Sequence, residues 1–335
     1  MKLIIQIPCL NERDTLGETL AGLPRRIEGV DEIEVLVIDD GSTDGTSEKA
    51  AELGVHHIVR FPQNRGLAAA FMAGIDACVR LGADIVVNTD ADNQYRGSDI
   101  PRLVEPVLKG EADFVVGDRQ TDTIAHFSLA KKLLQRWGSR VVRRLSGTAV
   151  TDSPSGFRAI SRKAALQLFV HNNFTYTLET VIQAGRRGLA VANVPVFTNP
   201  KTRESRLFSS VPNYLRRAGA VMFRAYAMYR PVQTFALLAG VLFVVGVSMG
   251  LRFLYYYLTH SGSGHIQSVV VGTGAVVLAF LVGLVAMLGE LLAANRRLLE
   301  ELIARVRRLD AEVQRLRPPD TPPEGVRSTG AEPWR

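Results

Sequence analysis

Two stretches in the C-terminal third limit what this chain can fold into. Pro231 to Leu251 carries no Asp, Glu, Lys or Arg, and Ile266 to Gly289 carries none either. Each reaches the ~20 apolar residues that a helix needs to cross a bilayer. The connection between them, Thr259 to His265, is short and free of these charges. Arg216, Arg217, Arg224 and Arg230 precede the first stretch; Arg296, Arg297, Arg305, Arg307 and Arg308 follow the second. An excess of Lys and Arg marks the cytoplasmic side of a span. The pattern predicts a transmembrane hairpin, one helix over 231–258 and one over 266–290, with both flanks in the cytoplasm. Tyr255, Tyr256 and Tyr257 fit an interfacial belt on the far side, where Arg252 can snorkel outward. A pair of buried core helices is the alternative.

The flanks carry patterns of their own. Residues 209–230 mix Arg with Val221, Met222, Phe223 and Tyr226, as an amphipathic helix lying on anionic lipid would. An ordinary surface helix is the other reading. Beyond the second span, Leu292, Leu299, Val306 and Val313 alternate with Asn295, Leu302, Leu309 and Leu316. This heptad seam predicts a coiled-coil helix over 291–317 and, through it, a homo-oligomer. A single helix packed on its own N-terminal domain is the alternative. From 318 to 335 Pro, Gly and charge dominate, and disorder is expected. Leu3–Ile7 is too short for the apolar core of a signal peptide, so the N-terminal domain is expected to stay in the cytoplasm.

That domain, residues 1–208, alternates short apolar runs with helical patterns. Leu3–Ile7, Glu34–Ile38, His57–Arg60, Ile85–Asn88 and Phe114–Val116 read as strands, and Thr43–Leu53 and Leu67–Arg80 as helices. Such alternation predicts an α/β domain on a mostly parallel sheet, with its ligand at the carboxyl ends of the strands. Apolar residues make up 47% of the chain, enough for a sizeable core. The two cysteines, Cys9 and Cys78, exclude a disulfide scaffold or a Cys-rich zinc site. The net charge of +7 excludes neither nucleic acid nor an anionic membrane. Because the arginine-rich segment adjoins a span, membrane lipid is the expected partner and nucleic acid is not.

Polar residues gather at the strand ends. Pro8 to Glu12 follows the first strand, Asp39 to Asp44 the second, and Asp90 to Gln94 the fourth. Asp39, Asp40 and Asp44 also suit helix caps or turns. So many acids at one edge repel unless a cation joins them. Asp90 and Asp92, at Asp-x-Asp spacing, offer hard oxygen ligands for Mg2+ or Mn2+. A metal held by few protein ligands keeps positions open for phosphate oxygens, so the edge reads as a site for a nucleoside diphosphate. Neither a P-loop nor the Gly-x-Gly-x-x-Gly fingerprint of hydride-transfer cofactors is present.

The ordered set I-P-C-L-N-E, V-I-D-D-G-S-T-D, N-R-G-L-A-A-A-F-M-A-G, N-T-D-A-D-N-Q-Y and D-S-P-S-G-F-R-A resembles family 2 glycosyltransferases of the GT-A fold. Within them it is similar to the dolichol- or polyprenyl-phosphate sugar synthases, over about residues 1–210. The resemblance implies that Pro8, Leu10, Glu12, Asp39, Asp40, Asn64, Gly66, Asp90 and Ala91 bind the nucleotide sugar. It implies a metal on Asp90, Asp92 and Gln94, and an acceptor phosphate on Arg119, Lys131, Gln135 and Arg136. Arg203 and Arg206 would close over the donor diphosphate, although Lys201 and Glu204 beside them suit a plain charged loop. Tyr95 stands where mannosyl members often have His.

The reaction so implied moves one sugar from a nucleoside diphosphate to polyprenyl phosphate, with inversion. Asp92, Arg119 and Asp152 carry the catalytic expectations, Asp152 as a base, a positioning group or simply a turn residue. Glu179 could reach the sugar or serve its helix dipole. Two further functions compete: transfer to a lipid hydroxyl or lipid-linked glycan, and a non-catalytic membrane scaffold with a sugar-nucleotide-binding domain.

Overall fold

The computed structural model describes residues 1–120, 139–170, 176–199, 231–260, 266–315, 323 and 325–330. The expected surface helix over 209–230, together with Lys131, Gln135, Arg136, Arg203 and Arg206, lies outside the described residues. The chain divides into two compact units, Met1–Arg206 with Glu301–Arg335, and Leu207–Glu300.

The first unit is built on an eight-stranded sheet in the order β7-β5-β6-β4-β1-β2-β3-β8. β1 (Lys2–Cys9) pairs in parallel with β2 (Glu32–Asp39) and β4 (Ile85–Asn88), and β2 with β3 (His57–Arg60). β1 and β2 are buried along nearly their whole length, as strands covered by helices on both faces must be. The helices are α1 (Leu16–Ala21), α2 (Thr46–Glu52), α3 (Leu67–Arg80) and α4 (Ile100–Leu108). α3 crosses β1 and β2 at Gly74, where a Cβ would collide with the Gln6 carboxamide and Ile38.

Beyond β4 the sheet departs from the expected parallel run. β6 (Arg158–Ser161) lies antiparallel between β4 and β5 (Phe114–Asp118), and β7 (Val191–Pro195) pairs in parallel with β5. The sequence reading found neither β6 nor β7. β6 is four residues long and opens on an arginine, so it has no alternation to detect. Two helices, α5 (Arg162–Ala165) and α6 (Thr177–Arg186), follow β6.

The tail expected to be disordered is ordered in part. β8 (Arg327–Ser328) pairs antiparallel with β3, and Thr329 N–H donates to the His56 carbonyl at 3.1 Å. A short strand here covers the unpaired edge of β3, which a two-residue stretch of Arg and Ser does not announce.

The second unit holds α7 (Pro231–His260) and the first part of α8 (Ile266–Arg315). Both helices are long and apolar enough to cross a membrane, and most of their apolar side chains are exposed, which a pair of core helices would not show. They approach closely where a Cβ on Gly246 would fall 2.7 Å from the Gly272 carbonyl oxygen, the small-residue contact typical of membrane helices.

α8 runs without a break from the second span into the heptad segment. Its part from Glu301 onward packs on the first unit: Ala304 and Ala311 are buried, and Arg307 Nη2 meets Asp76 Oδ1 of α3 at 3.0 Å. The seam residues Leu302, Val306, Leu309 and Val313 point elsewhere, with Leu302 56% and Leu309 61% exposed. The helix therefore uses one face on its own domain, as the alternative reading had it, and leaves the heptad face uncovered.

Candidate active site

The acids at the strand ends come together, and the local bonds show what each does. Asp39, fully buried at the end of β2, accepts from the Ser42 N–H at 2.8 Å and from the Ser47 hydroxyl, with Arg60 Nε 3.7 Å away. Asp40 accepts from the N–H groups of Arg65 at 2.7 Å and Gly66 at 2.9 Å. It thereby anchors the Asn64–Arg65–Gly66 turn that opens α3. Gly41 permits this approach: with φ of 76° its Cβ position lies 2.5 Å from the Gln63 carbonyl carbon, so no side chain fits. Both carboxylates thus hold the loops that follow β2 and β3, a positioning task that adjacency in sequence did not reveal. Asp44 caps its turn as the alternative reading had it, accepting from Thr46 N at 3.0 Å.

The first motif is tied to the second. Asn11, at φ 54°, accepts from Thr43 N–H at 2.9 Å, and its own N–H donates to Ser42 Oγ at 2.9 Å. Glu12 accepts from the Thr15 hydroxyl at 2.7 Å. Pro8 lies at the end of β1 and Leu10 is exposed just beyond it. Burial pushes the Cys9 thiol well up, which leaves it a packing residue.

At the end of β4, Asp92 Oδ1 accepts from Gln94 N–H at 3.1 Å around Asn93, whose φ is 54°. The Ala91 carbonyl accepts from the Thr19 hydroxyl at 2.9 Å. Desolvation, and then the charge of Asp92, push the Asp90 carboxyl up to about 7. Two carboxylates crowded in this way suit a cation. Among the described residues no three His, Cys, Asp or Glu side chains form a metal-binding group. A cation here would have Asp90 and Asp92 and take its other ligands from diphosphate and water, which fits the all-oxygen preference of Mg2+ or Mn2+. The bonds recorded for Gln94 run through its backbone.

A stability consequence follows from Asp90. Its folded-state value lies above that of the unfolded chain, so the ionised form costs stability above pH ~7 and the cost disappears as pH falls toward the ordinary carboxylate range. Without metal, the wild type is expected to melt lower at pH 8 than at pH 5.5. The Asp90→Asn variant should show a smaller difference. Equal pH slopes for the two would refute this.

Facing Asp90 is the D-S-P-S-G-F-R motif. Asp152, 2% exposed, is held by Arg119 through Nε to Oδ2 at 2.7 Å and Nη2 to Oδ1 at 2.9 Å, and the Arg119 N–H reaches Oδ2 at 3.2 Å. Arg158 is buried beneath the motif. It donates to the carbonyls of Ser153 (3.0 Å), Ser155 (2.9 Å) and Thr177 (2.7 Å) and to the Thr180 hydroxyl, between the rings of Phe114 and Tyr176. Burial lowers its guanidinium to about 10, so it stays charged at neutral pH and braces the motif from below. Glu179 is buried in the first turn of α6 with Gln183 Nε2 at 3.5 Å.

Sequence reasoning missed the polar layer under the site. Gln6 Nε2 donates to Asn88 Oδ1 at 2.8 Å, and Asn88 Nδ2 donates to the Gly156 carbonyl at 2.8 Å and the Tyr176 hydroxyl at 2.9 Å. A polar residue inside each of two fully buried strands was the available signal. Tyr95 was noted only as a departure from pattern. Its hydroxyl accepts from Gly156 N–H at 3.0 Å, which joins the Asp-x-Asp loop to the motif opposite.

Gly156 has no room for a side chain. A Cβ there would stand 2.9 Å from the Tyr176 hydroxyl and 3.1 and 3.2 Å from the Asp90 carboxylate oxygens. Gly156→Ala is expected to displace Asp90 and raise the donor KM about tenfold, the scale of losing a metal ligand's support. An unchanged KM in steady-state assays would show that the carboxylate moves aside freely.

Comparison with known proteins agrees with this geometry. The family model described as Glycosyl transferase family 2 matches residues 4–169. An uncharacterized glycosyltransferase of Mycobacterium bovis is 30% identical over 202 residues, covering 59% of this chain and 85% of that protein. The undecaprenyl-phosphate mannosyltransferase of Micrococcus luteus is 29% identical over 222 residues, covering 63% of this chain and 89% of that protein. Among solved structures, glucosyl-3-phosphoglycerate synthase from Mycobacterium tuberculosis, with Mn2+, UDP-glucose and phosphoglyceric acid, shares the GT-A fold. Its TM-score is 0.54 at 23% identity, over 68% of this chain and 78% of that one. By its strand-end acids, its sheet and these relatives alike, the chain belongs to glycosyl transferase family 2 and is a glycosyltransferase.

Proposed function

We propose that this enzyme transfers one sugar from a nucleoside-diphosphate sugar to polyprenyl phosphate, inverting the anomeric centre, with Mg2+ or Mn2+ bound at Asp90 and Asp92. The observation that carries the reading is the use of both Asp152 oxygens by Arg119. A hydroxyl acceptor needs a base to take its proton, and Asp152 is already committed. A phosphate acceptor needs none: its second pKa of about 6 leaves it largely dianionic at neutral pH. The name of the Micrococcus luteus relative supports the same acceptor class.

The chain's own part is binding and alignment. Asp39, Asp40 and Glu12, with Pro8, Leu10, Asn64 and Gly66, hold the nucleotide beside Ala91. A guanidinium has about five N–H donors. Arg119 gives two to Asp152 and keeps the rest for the acceptor phosphate, with Lys131, Gln135 and Arg136 as further ligands. Asp152 fixes the plane of that guanidinium. The cation supplies charge neutralisation for the departing diphosphate, a task Arg203 and Arg206 share.

The catalytic unit and both ends of the chain face the cytoplasm in this reading, and the uncovered heptad face pairs with a second copy. Cysteine placed at Leu302 is expected to cross-link between subunits in membranes, and cysteine at the exposed Arg308, about 100° or more round the helix from the seam residues, is not. Failure at Leu302 would remove the pairing.

The test of function uses the full chain in detergent, undecaprenyl phosphate, a panel of sugar nucleotides and Mg2+ or Mn2+, with lipid products read by mass. A glycosyl phosphoryl lipid is expected. Product formed equally well on the unphosphorylated polyprenol would overturn the acceptor assignment.

A further inference from the structure

One strap of chain grips the Asp-x-Asp loop from outside. After β7, Val196 N–H donates to the Asp118 carbonyl at 2.9 Å, and the chain then runs beside residues 93–99. Phe197 N–H donates to Asp99 Oδ2 at 2.7 Å, and Thr198 forms a bridge with Tyr95. Asn199 makes the most bonds. Its N–H donates to the Gln94 carbonyl at 2.9 Å, and its Nδ2 donates to the Asn93 carbonyl at 2.9 Å, with Asn93 Oδ1 at 3.4 Å. Its Oδ1 accepts from Arg96 Nε at 3.2 Å.

These bonds fall on the turn that aims Asp92. Asn93 is left-handed, a conformation that asparagine tolerates better than most residues but does not prefer. The Asp92 carboxylate closes over that turn onto Gln94 N–H. Asn199 therefore holds the carbonyls of Asn93 and of Gln94, the first with its side chain and the second with its backbone. Released, the Asn93 carbonyl is free to rotate and the turn to relax, and Asp92 would lose its direction.

We propose that Asn199 is a positioning residue for the cation: it locks Asn93 in the left-handed turn, so that Asp92 is preorganised to bind metal and diphosphate. The inference rests on the cation site proposed above, and it assigns to a residue more than a hundred positions away in sequence the support of that site. Residues that orient metal ligands from behind cost ~10–100-fold in affinity when removed.

The experiment measures Mn2+ uptake by the full chain in detergent from the loss of the free-ion paramagnetic signal, with UDP and with GDP, and needs no turnover. Asn199→Ala is expected to weaken Mn2+ binding about tenfold or more. Adding Asn93→Gly, which removes the penalty of the left-handed turn, should recover part of that loss. Arg96→Ala, which removes the bond to Asn199 Oδ1 and the guanidinium over the Phe197 ring but leaves the bonds to the Asn93 and Gln94 carbonyls, should bind as the wild type does. Unchanged affinity in Asn199→Ala overturns the proposal, and so does a loss that Asn93→Gly leaves untouched. A lowered metal-free melting temperature with normal Mn2+ affinity would make Asn199 a fold residue only. Absence of Mn2+ uptake by the wild type with either nucleotide would instead sink the cation site itself, a result distinct from the others.

Discussion

Asp92→Asn is expected to lower kcat/KM for sugar transfer by at least ~100-fold while leaving the fold intact. Asparagine has the same shape, and its carbonyl oxygen can still accept from Gln94 N–H, so the turn survives. What goes is a charge. Asp90 is pushed up to about 7 partly by Asp92, so the neutral variant should let the Asp90 carboxyl drop back. Two readouts then move in opposite directions: transfer activity falls, and metal-free stability at pH 8 rises or holds. Loss of activity accompanied by unfolding would point to a structural carboxylate, and full activity would end the metal reading.

The second large effect concerns the Arg119–Asp152 pair. Arg119→Ala leaves a carboxylate that is 2% exposed without its bidentate partner. Breaking a buried pair on one side costs ~3–5 kcal/mol, because the remaining charge is uncompensated. The double change Arg119→Met with Asp152→Leu removes both charges and should recover most of that stability. Transfer should stay absent in both, since in the proposed reaction the acceptor phosphate would have lost the Arg119 cation. Urea unfolding read beside product formation separates the two roles. If the double variant were no more stable than the single one, the pair would not be the source of the loss. Asp152→Asn keeps an oxygen for Arg119 Nε and should retain measurable transfer to a phosphate acceptor. A general base would leave none.

Legibility of the site in the sequence varied with the range of the interactions. The acids after β1, β2 and β4 were readable because each follows a short apolar run, and the carboxyl end of a parallel strand is where such a run delivers its next residues. Their individual tasks were not readable. Whether Asp40 meets a nucleotide or the Arg65 and Gly66 N–H groups depends on where the β3–α3 turn lands, 25 residues later. Arg158 was legible as part of a motif, yet its burial between Phe114 and Tyr176 depends on β6, the strand it opens, which no local pattern announced.

The spans and the central parallel strands followed from the sequence alone, because length and apolarity are properties of contiguous residues and burial on both faces leaves a continuous apolar run. The heptad seam was also visible, but the face of α8 that packs on the domain, Ala304, Arg307 and Ala311, was chosen by the surface it meets. Tertiary structure alone inserted β6 antiparallel into the sheet, added β8 to the edge, and laid Asn199 across the Asp-x-Asp loop. β6 and β8 join segments far apart in the chain through backbone N–H and C=O groups, and so does the Asn199 N–H on the Gln94 carbonyl. Every residue but proline carries both, so side-chain identity does not reveal the pairing.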